Sequence, residues 1–132
     1  MKSDGGVIFL THMNFASTVY GGTDTFYNSD LLWAMVQAFI NKTSGTLTGS
    51  TLDFEINVPY DFIGNLSNEV IACFAGHKHA DMSGIVDGVT QVVLLNALNA
   101  LGSFDAVTVD RTNRIIHANR YGMSGYDRNI SY

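Results

Sequence analysis

Apolar residues along this chain gather into short runs that break off at polar or glycine-containing segments, and the way each run ends predicts its place in the fold. Val7-Ile8-Phe9-Leu10-Thr11-His12 and Val70-Ile71-Ala72-Cys73-Phe74-Ala75-Gly76-His77-Lys78-His79 are apolar stretches that stop at histidine. Such runs read as buried strands of a parallel sheet, and ligands of open α/β sheets bind just beyond the carboxyl ends of their strands. Three of the four histidines therefore stand where such a fold builds a site.

The rest of the pattern fills in around these two strands. Asn14 to Ser29 is polar and reads as a long loop leaving the first strand, and long loops in compact domains are usually functional. Ser29 is placed to cap a helix from Leu31 to about Thr43, with Asp30 in its first turn and Gly45 as its stop. Leu31 to Ile40 is apolar around most of the circumference, so that helix requires cover on more than one side. Gly45 to Thr51 reads as turn-rich. Leu52 to Val58 then alternates, with Leu52, Phe54, Ile56 and Val58 on one face, and Pro59 ends the strand. From Gly84 onward the pattern is β: a strand over Thr90–Leu95, then Ala106–Val109 facing Ile115–Tyr121 across the turn Asp110-Arg111-Thr112-Asn113.

Composition narrows the class. A chain of 132 residues, 14% charged, is expected to form one globular domain, 1–132, with no internal repeat or linker. Its net charge of −5 would repel phosphate backbones, which argues against general nucleic-acid binding. No signal-peptide pattern and no apolar run of about 20 residues are present, so a cytoplasmic protein with no membrane partner is expected. The single cysteine, Cys73, excludes a disulfide framework and a cysteine zinc site, and its apolar run makes it a buried thiol. The Asn-x-Ser/Thr triplets at Asn41, Asn65 and Asn129 carry little meaning without a secretory route.

Among candidate chemical groups, His77 and His79 are one residue apart. In an extended segment they would face the same side with Cα atoms about 6–7 Å apart, and Gly76 would permit the turn. Two such imidazoles can serve one ion, or two ions about 3.5–4 Å apart, with Asp81 orienting a ring from behind. The plainer reading is a solvated loop with Lys78 exposed. His12 after a similar strand shifts the balance toward a metal, whereas His117, inside Arg114-Ile115-Ile116-His117-Ala118-Asn119-Arg120, reads as a solvated or partnered face residue. No nucleophile elbow or phosphate loop is present.

In these residues the chain resembles the carboxyl-terminal half of the calcineurin-like metallophosphoesterases. That family carries Asp-x-His, Gly-Asp-x-x-Asp, Gly-Asn-His-Asp/Glu, an isolated His after a strand, and Gly-His-x-His. The fourth block is similar to Ile8-Phe9-Leu10-Thr11-His12 and the fifth to Gly76-His77-Lys78-His79. The ending Arg120-Tyr121-Gly122-Met123-Ser124-Gly125-Tyr126-Asp127-Arg128 looks like the tail of phage and bacterial members. The resemblance implies an α/β class: half of a β-sandwich flanked by helices, with one main helix and mixed and antiparallel strands. It also implies that His12 and His77 ligate one divalent ion and His79 a second, the metals being manganese, iron or zinc.

The first three blocks are absent, and with them the bridging aspartate, further ligands and the proton-donating histidine. The resemblance therefore implies a phosphoesterase fragment or split product, inactive alone, dinuclear and able to take a phosphoester substrate only when the missing half is supplied. Exposed strand edges and apolar faces would then drive self-association. A non-catalytic metal-binding or structural module, phage-related in kind, is the alternative. A mononuclear zinc hydrolase built on His12, His77 and His79 is a third.

Overall fold

The computed structural model describes residues 5–15, 19, 26–50, 53–64, 67–95, 102–122 and 126–132. Most of the Asn14–Ser29 loop, Leu52 at the expected start of a strand, Asn65 and the Met123–Gly125 part of the tail lie outside these residues. The described chain is mostly β, with one helix. Its centre is a mixed four-stranded sheet of β1 (Gly6–Thr11), β4 (Glu69–Ala75), β6 (Val89–Val93) and β5 (Met82–Val86), in that spatial order. β1, β4 and β6 run parallel, and β5 is antiparallel to β6. Helix α1 (Ser29–Ile40) and the hairpin β2 (Ser44–Ser50)–β3 (Glu55–Asp61) lie in the crossover from β1 to β4. β7 (Phe104–Asp110), β8 (Ile115–Tyr121) and β9 (Arg128–Ser131) form an antiparallel sheet.

Two apolar clusters set the layers. On one face of the central sheet, Cys73 and Val89 pack with Val36 of α1 and Phe15 of the loop after β1. On the other, Ala72, Phe74 and Val92 pack with Ile116 of β8 and Val109 of β7. β4 is the expected buried strand, because both its faces are covered. Burial pushes the Cys73 thiol up to about 12. With an unfolded value near 9, this group favours the folded state below pH 9 and withdraws that contribution as pH rises toward 12. Alkylation of Cys73 at neutral pH should accordingly proceed only at the rate of unfolding, which denaturant-dependent labelling measures.

Several sequence expectations need correction. β1 is parallel but not buried: it is one of the two edge strands of the described sheet, and Leu10 is 79% exposed. The helix starts at Ser29, after Asn28 in a left-handed conformation that makes no side-chain cap bond. It ends at Ile40 rather than near Thr43. There Lys42 takes a left-handed conformation, and the Lys42 and Thr43 N–H groups donate to the Phe39 and Ala38 carbonyls at 3.4 and 3.1 Å. That pair of bonds is a Schellman stop, so Gly45 is not needed as one. Gly45 lies instead inside β2, a strand where the composition suggested a turn. Pro59 does not end β3 but pairs with Thr46 within it. The Phe62 N–H donates to the Thr43 carbonyl, and alternation from there puts Pro59 at a non-hydrogen-bonded position, where its missing N–H costs nothing. Phe54 and Val58 remain exposed, so the alternating face of β3 is not a buried one. The β7–β8 hairpin holds, with its turn one residue later, at 111–114.

Candidate metal centre

The carboxyl ends of β1 and β4 lie side by side because the two strands are parallel neighbours, with Thr11 opposite Ala75. The Thr11 hydroxyl donates to the Met13 carbonyl at 2.6 Å, turning the chain just past the strand. The Gly76 N–H donates to the His12 carbonyl at 3.0 Å and ties the two loops together. This brings His12 Nε2 and His77 Nδ1 to 3.3 Å, with ring centroids 5.2 Å apart and planes at 75°. Both rings are exposed.

That nitrogen–nitrogen separation has a chemical meaning. Two imidazole nitrogens each about 2.05 Å from a tetrahedral ion stand about 3.3 Å apart. The same separation also suits an N–H···N hydrogen bond between the two rings, with donor and acceptor set by the tautomer.

The backbone holding His77 is strained. Lys78 N–H donates to the Gly76 carbonyl at 2.8 Å, a three-residue turn centred on His77 at φ 65°. Turns of this form are rare, and a residue with a side chain in a left-handed conformation costs about 1–3 kcal/mol. His79 is also left-handed, at φ 52°. The extended alternation expected of His77 and His79 is therefore absent. The expected exposure is also reversed, because both histidines are exposed and Lys78 is half-buried. Glycine tolerates this conformation, so His77→Gly should leave stability unchanged or raise it by up to ~1 kcal/mol while removing one of the two imidazoles. Chemical denaturation measures the first effect and a metal titration the second; a loss above ~1 kcal/mol would mean the ring is a structural element.

The remaining candidates fall elsewhere. Asp81 does not orient an imidazole; its carboxylate accepts from the Leu95 N–H at 3.1 Å and from Arg120 at 2.7 Å, and pairs with Arg128 at 3.3 Å. His117 Nδ1 hydrogen-bonds Asn129 Oδ1 at 2.7 Å across β8 and β9, in keeping with its structural reading. His12 and His77 are thus brought together, and the described residues hold no group of three His, Cys, Asp or Glu side chains placed to bind an ion. What sequence reading missed is a neighbour of the site rather than a ligand. A buried set of two arginines and two aspartates, with Asp81 two residues beyond His79, fixes the loop on which His79 stands.

No protein-family model, no curated protein and no solved structure matches the chain.

Proposed function

We propose that this chain is half of a metal-dependent phosphoesterase, contributing His12, His77 and His79 as ligands and requiring further polypeptide for activity. The supporting observation is the 3.3 Å approach of His12 Nε2 to His77 Nδ1 at the carboxyl ends of adjacent parallel strands. Neutral imidazoles suit borderline divalent ions such as zinc, manganese or iron without cancelling their charge. A bound pair of ions would supply an activated hydroxide and neutralise phosphoryl oxygens. The chain's own part is narrower: two strand ends fix two nitrogens at ligand spacing, and the strained turn at Gly76–Lys78 aims the second ring.

The blocks Asp-x-His, Gly-Asp-x-x-Asp and Gly-Asn-His-Asp/Glu, which would bring the bridging carboxylate, do not occur in the sequence. We therefore expect no hydrolysis of p-nitrophenyl phosphate or its bis ester by this chain with manganese or zinc. The test is to read the coding sequence ahead of Met1 and in neighbouring frames for Asp-x-His, Gly-Asp-x-x-Asp and Gly-Asn-His-Asp/Glu, then to co-express that segment. Restored hydrolysis that is lost in His12→Ala supports the proposal. Absence of the three blocks would favour a non-catalytic metal-binding module. Turnover by the chain alone, dependent on His79 as well as His12, would favour the mononuclear zinc reading.

A further inference from the structure

Among the described residues β1 is an edge strand with no neighbour on its outer side, and that edge is unusual in being apolar on both faces. On the helix side, Val7 and Phe9 line a groove of about 450 Å³ with Leu32, Met35 and Phe62. On the other side, Ile8 and Leu10 line a second groove of about 320 Å³ with Val107 and Val109 of β7. Leu32 is 50% exposed in the first groove and Leu10 79% in the second. Edge strands are ordinarily protected by charge, proline or a covering element. Gly6–Thr11 carries no charge and no proline, and its one irregularity is a register shift between Val7 and Ile8.

An occupant that fills both grooves at once must lie in the plane of the sheet, between them. That is a strand, hydrogen-bonded to β1, with large apolar side chains alternating into the two sides. β1 is itself such a strand: Val7 and Phe9 point one way, Ile8 and Leu10 the other.

We propose that two copies of this chain pair antiparallel through β1, about a two-fold axis normal to the central sheet. Such an axis keeps α1 of both copies on one face and the β7–β8–β9 sheets on the other. Each groove then closes against its own counterpart, Leu32 and Met35 toward the same residues of the partner copy, and Leu10 and Ile8 likewise. Chains of net charge −5 meet here without opposed charges, because the strand and the lining of both grooves are uncharged. The other edge, β5, has Ser83 and Gly84 at its centre between Met82 and Ile85, and pairing β1 with it would propagate head to tail instead of closing. Antiparallel pairing carries the two His12–His77 pairs to opposite ends of the paired strands, about 20 Å apart for six residues. The pairing is that of the chain without the further polypeptide of the proposed function, and it is tested without metal.

Sedimentation equilibrium of the full chain should give twice the 14.4 kDa chain mass. Leu10→Lys should sediment as a monomer with an unchanged circular dichroism spectrum, since this side chain lies mostly in solvent in the single copy. Ile85→Lys, on the β5 edge and 69% exposed, should remain a dimer. Hydrogen exchange on the unmodified chain gives an independent reading: β1 amides should slow as protein concentration rises while β5 amides do not. A monomer at all concentrations, a dimer untouched by Leu10→Lys, or concentration-dependent protection at β5 instead of β1 would each overturn the proposal.

Discussion

His12→Ala and His77→Ala should each weaken zinc binding to this chain by about 70- to 1,000-fold. A structural zinc site contributes about 10–16 kcal/mol through four ligands, or about 2.5–4 kcal/mol per ligand, and ~1.4 kcal/mol is a factor of ten. In the proposed site the two nitrogens at 3.3 Å would be the preorganised part, so either ring alone would forfeit the chelate. Isothermal titration calorimetry of the wild type and both variants measures the ratio. His117→Ala should bind as the wild type does, because its ring is engaged with Asn129 on another sheet. His79→Ala separates the readings: a site for a second ion predicts a small effect on the first, whereas a mononuclear three-histidine site predicts a loss as large as for His12.

Asp105→Ala should cost about 3–5 kcal/mol of folding stability, the loss typical when one partner of a buried ion pair is removed. The Asp105 side chain is 2% exposed and pairs with Arg120 and with Arg128, which are 5% and 8% exposed. Removing the carboxylate leaves two buried guanidiniums sharing the charge of Asp81, with Arg128 still donating to the Met82 and Val93 carbonyls. Against a total of about 5–15 kcal/mol for a domain, that loss should appear as a large fall in the denaturant midpoint. Replacing Asp105 and Arg120 together by leucine and methionine should cost much less, since both desolvation penalties disappear with the pair. Equal losses in the single and double variants would contradict an ion-pair origin. Burial pushes the Asp105 carboxyl up, but the hydrogen bonds and charges of Arg120 and Arg128 together outweigh it and hold the group below its ordinary 3.8. A depressed folded value means stability is present above pH 3.8 and is lost as pH falls through the lower folded value. The acid limb of the pH–stability curve should flatten in the double variant.

The sequence revealed those elements whose pattern is local and complete. β4 is an apolar run bounded by polar residues, and the β7–β8 hairpin has alternation on both sides of a polar turn, so each could be read without knowing its neighbours. β2 was hidden because Ser44–Ser50 contains one large apolar residue, Leu47; it is a strand because β3 lies beside it. β5 was hidden by Ser83 and Gly84 at its centre, although Asp87-Gly88 between apolar residues is a hairpin signal and both residues do adopt the positive φ of such a turn. β9 has a single apolar residue, Ile130, and its arginine is bound up with aspartates distant in sequence.

At the site, histidines ending two parallel strands made the meeting of His12 and His77 legible. The direction of the second ring was not. It depends on a left-handed turn that glycine would ordinarily occupy, and Gly76 stands one residue too early to announce it. Asp81 shows the converse failure. Its spacing suited a partner for an imidazole, but Arg120 and Arg128 come from strands about 40 residues further on and take it first.

The proposed ligand set at the meeting point of β1 and β4 is tested by a zinc titration of the unmodified chain followed through its histidine side-chain nitrogen resonances. His12 Nε2 and His77 Nδ1 should shift together at one equivalent while His117 stays fixed. Independent shifts of His12 and His77, or shifts of all four histidines in proportion to added zinc, would contradict it.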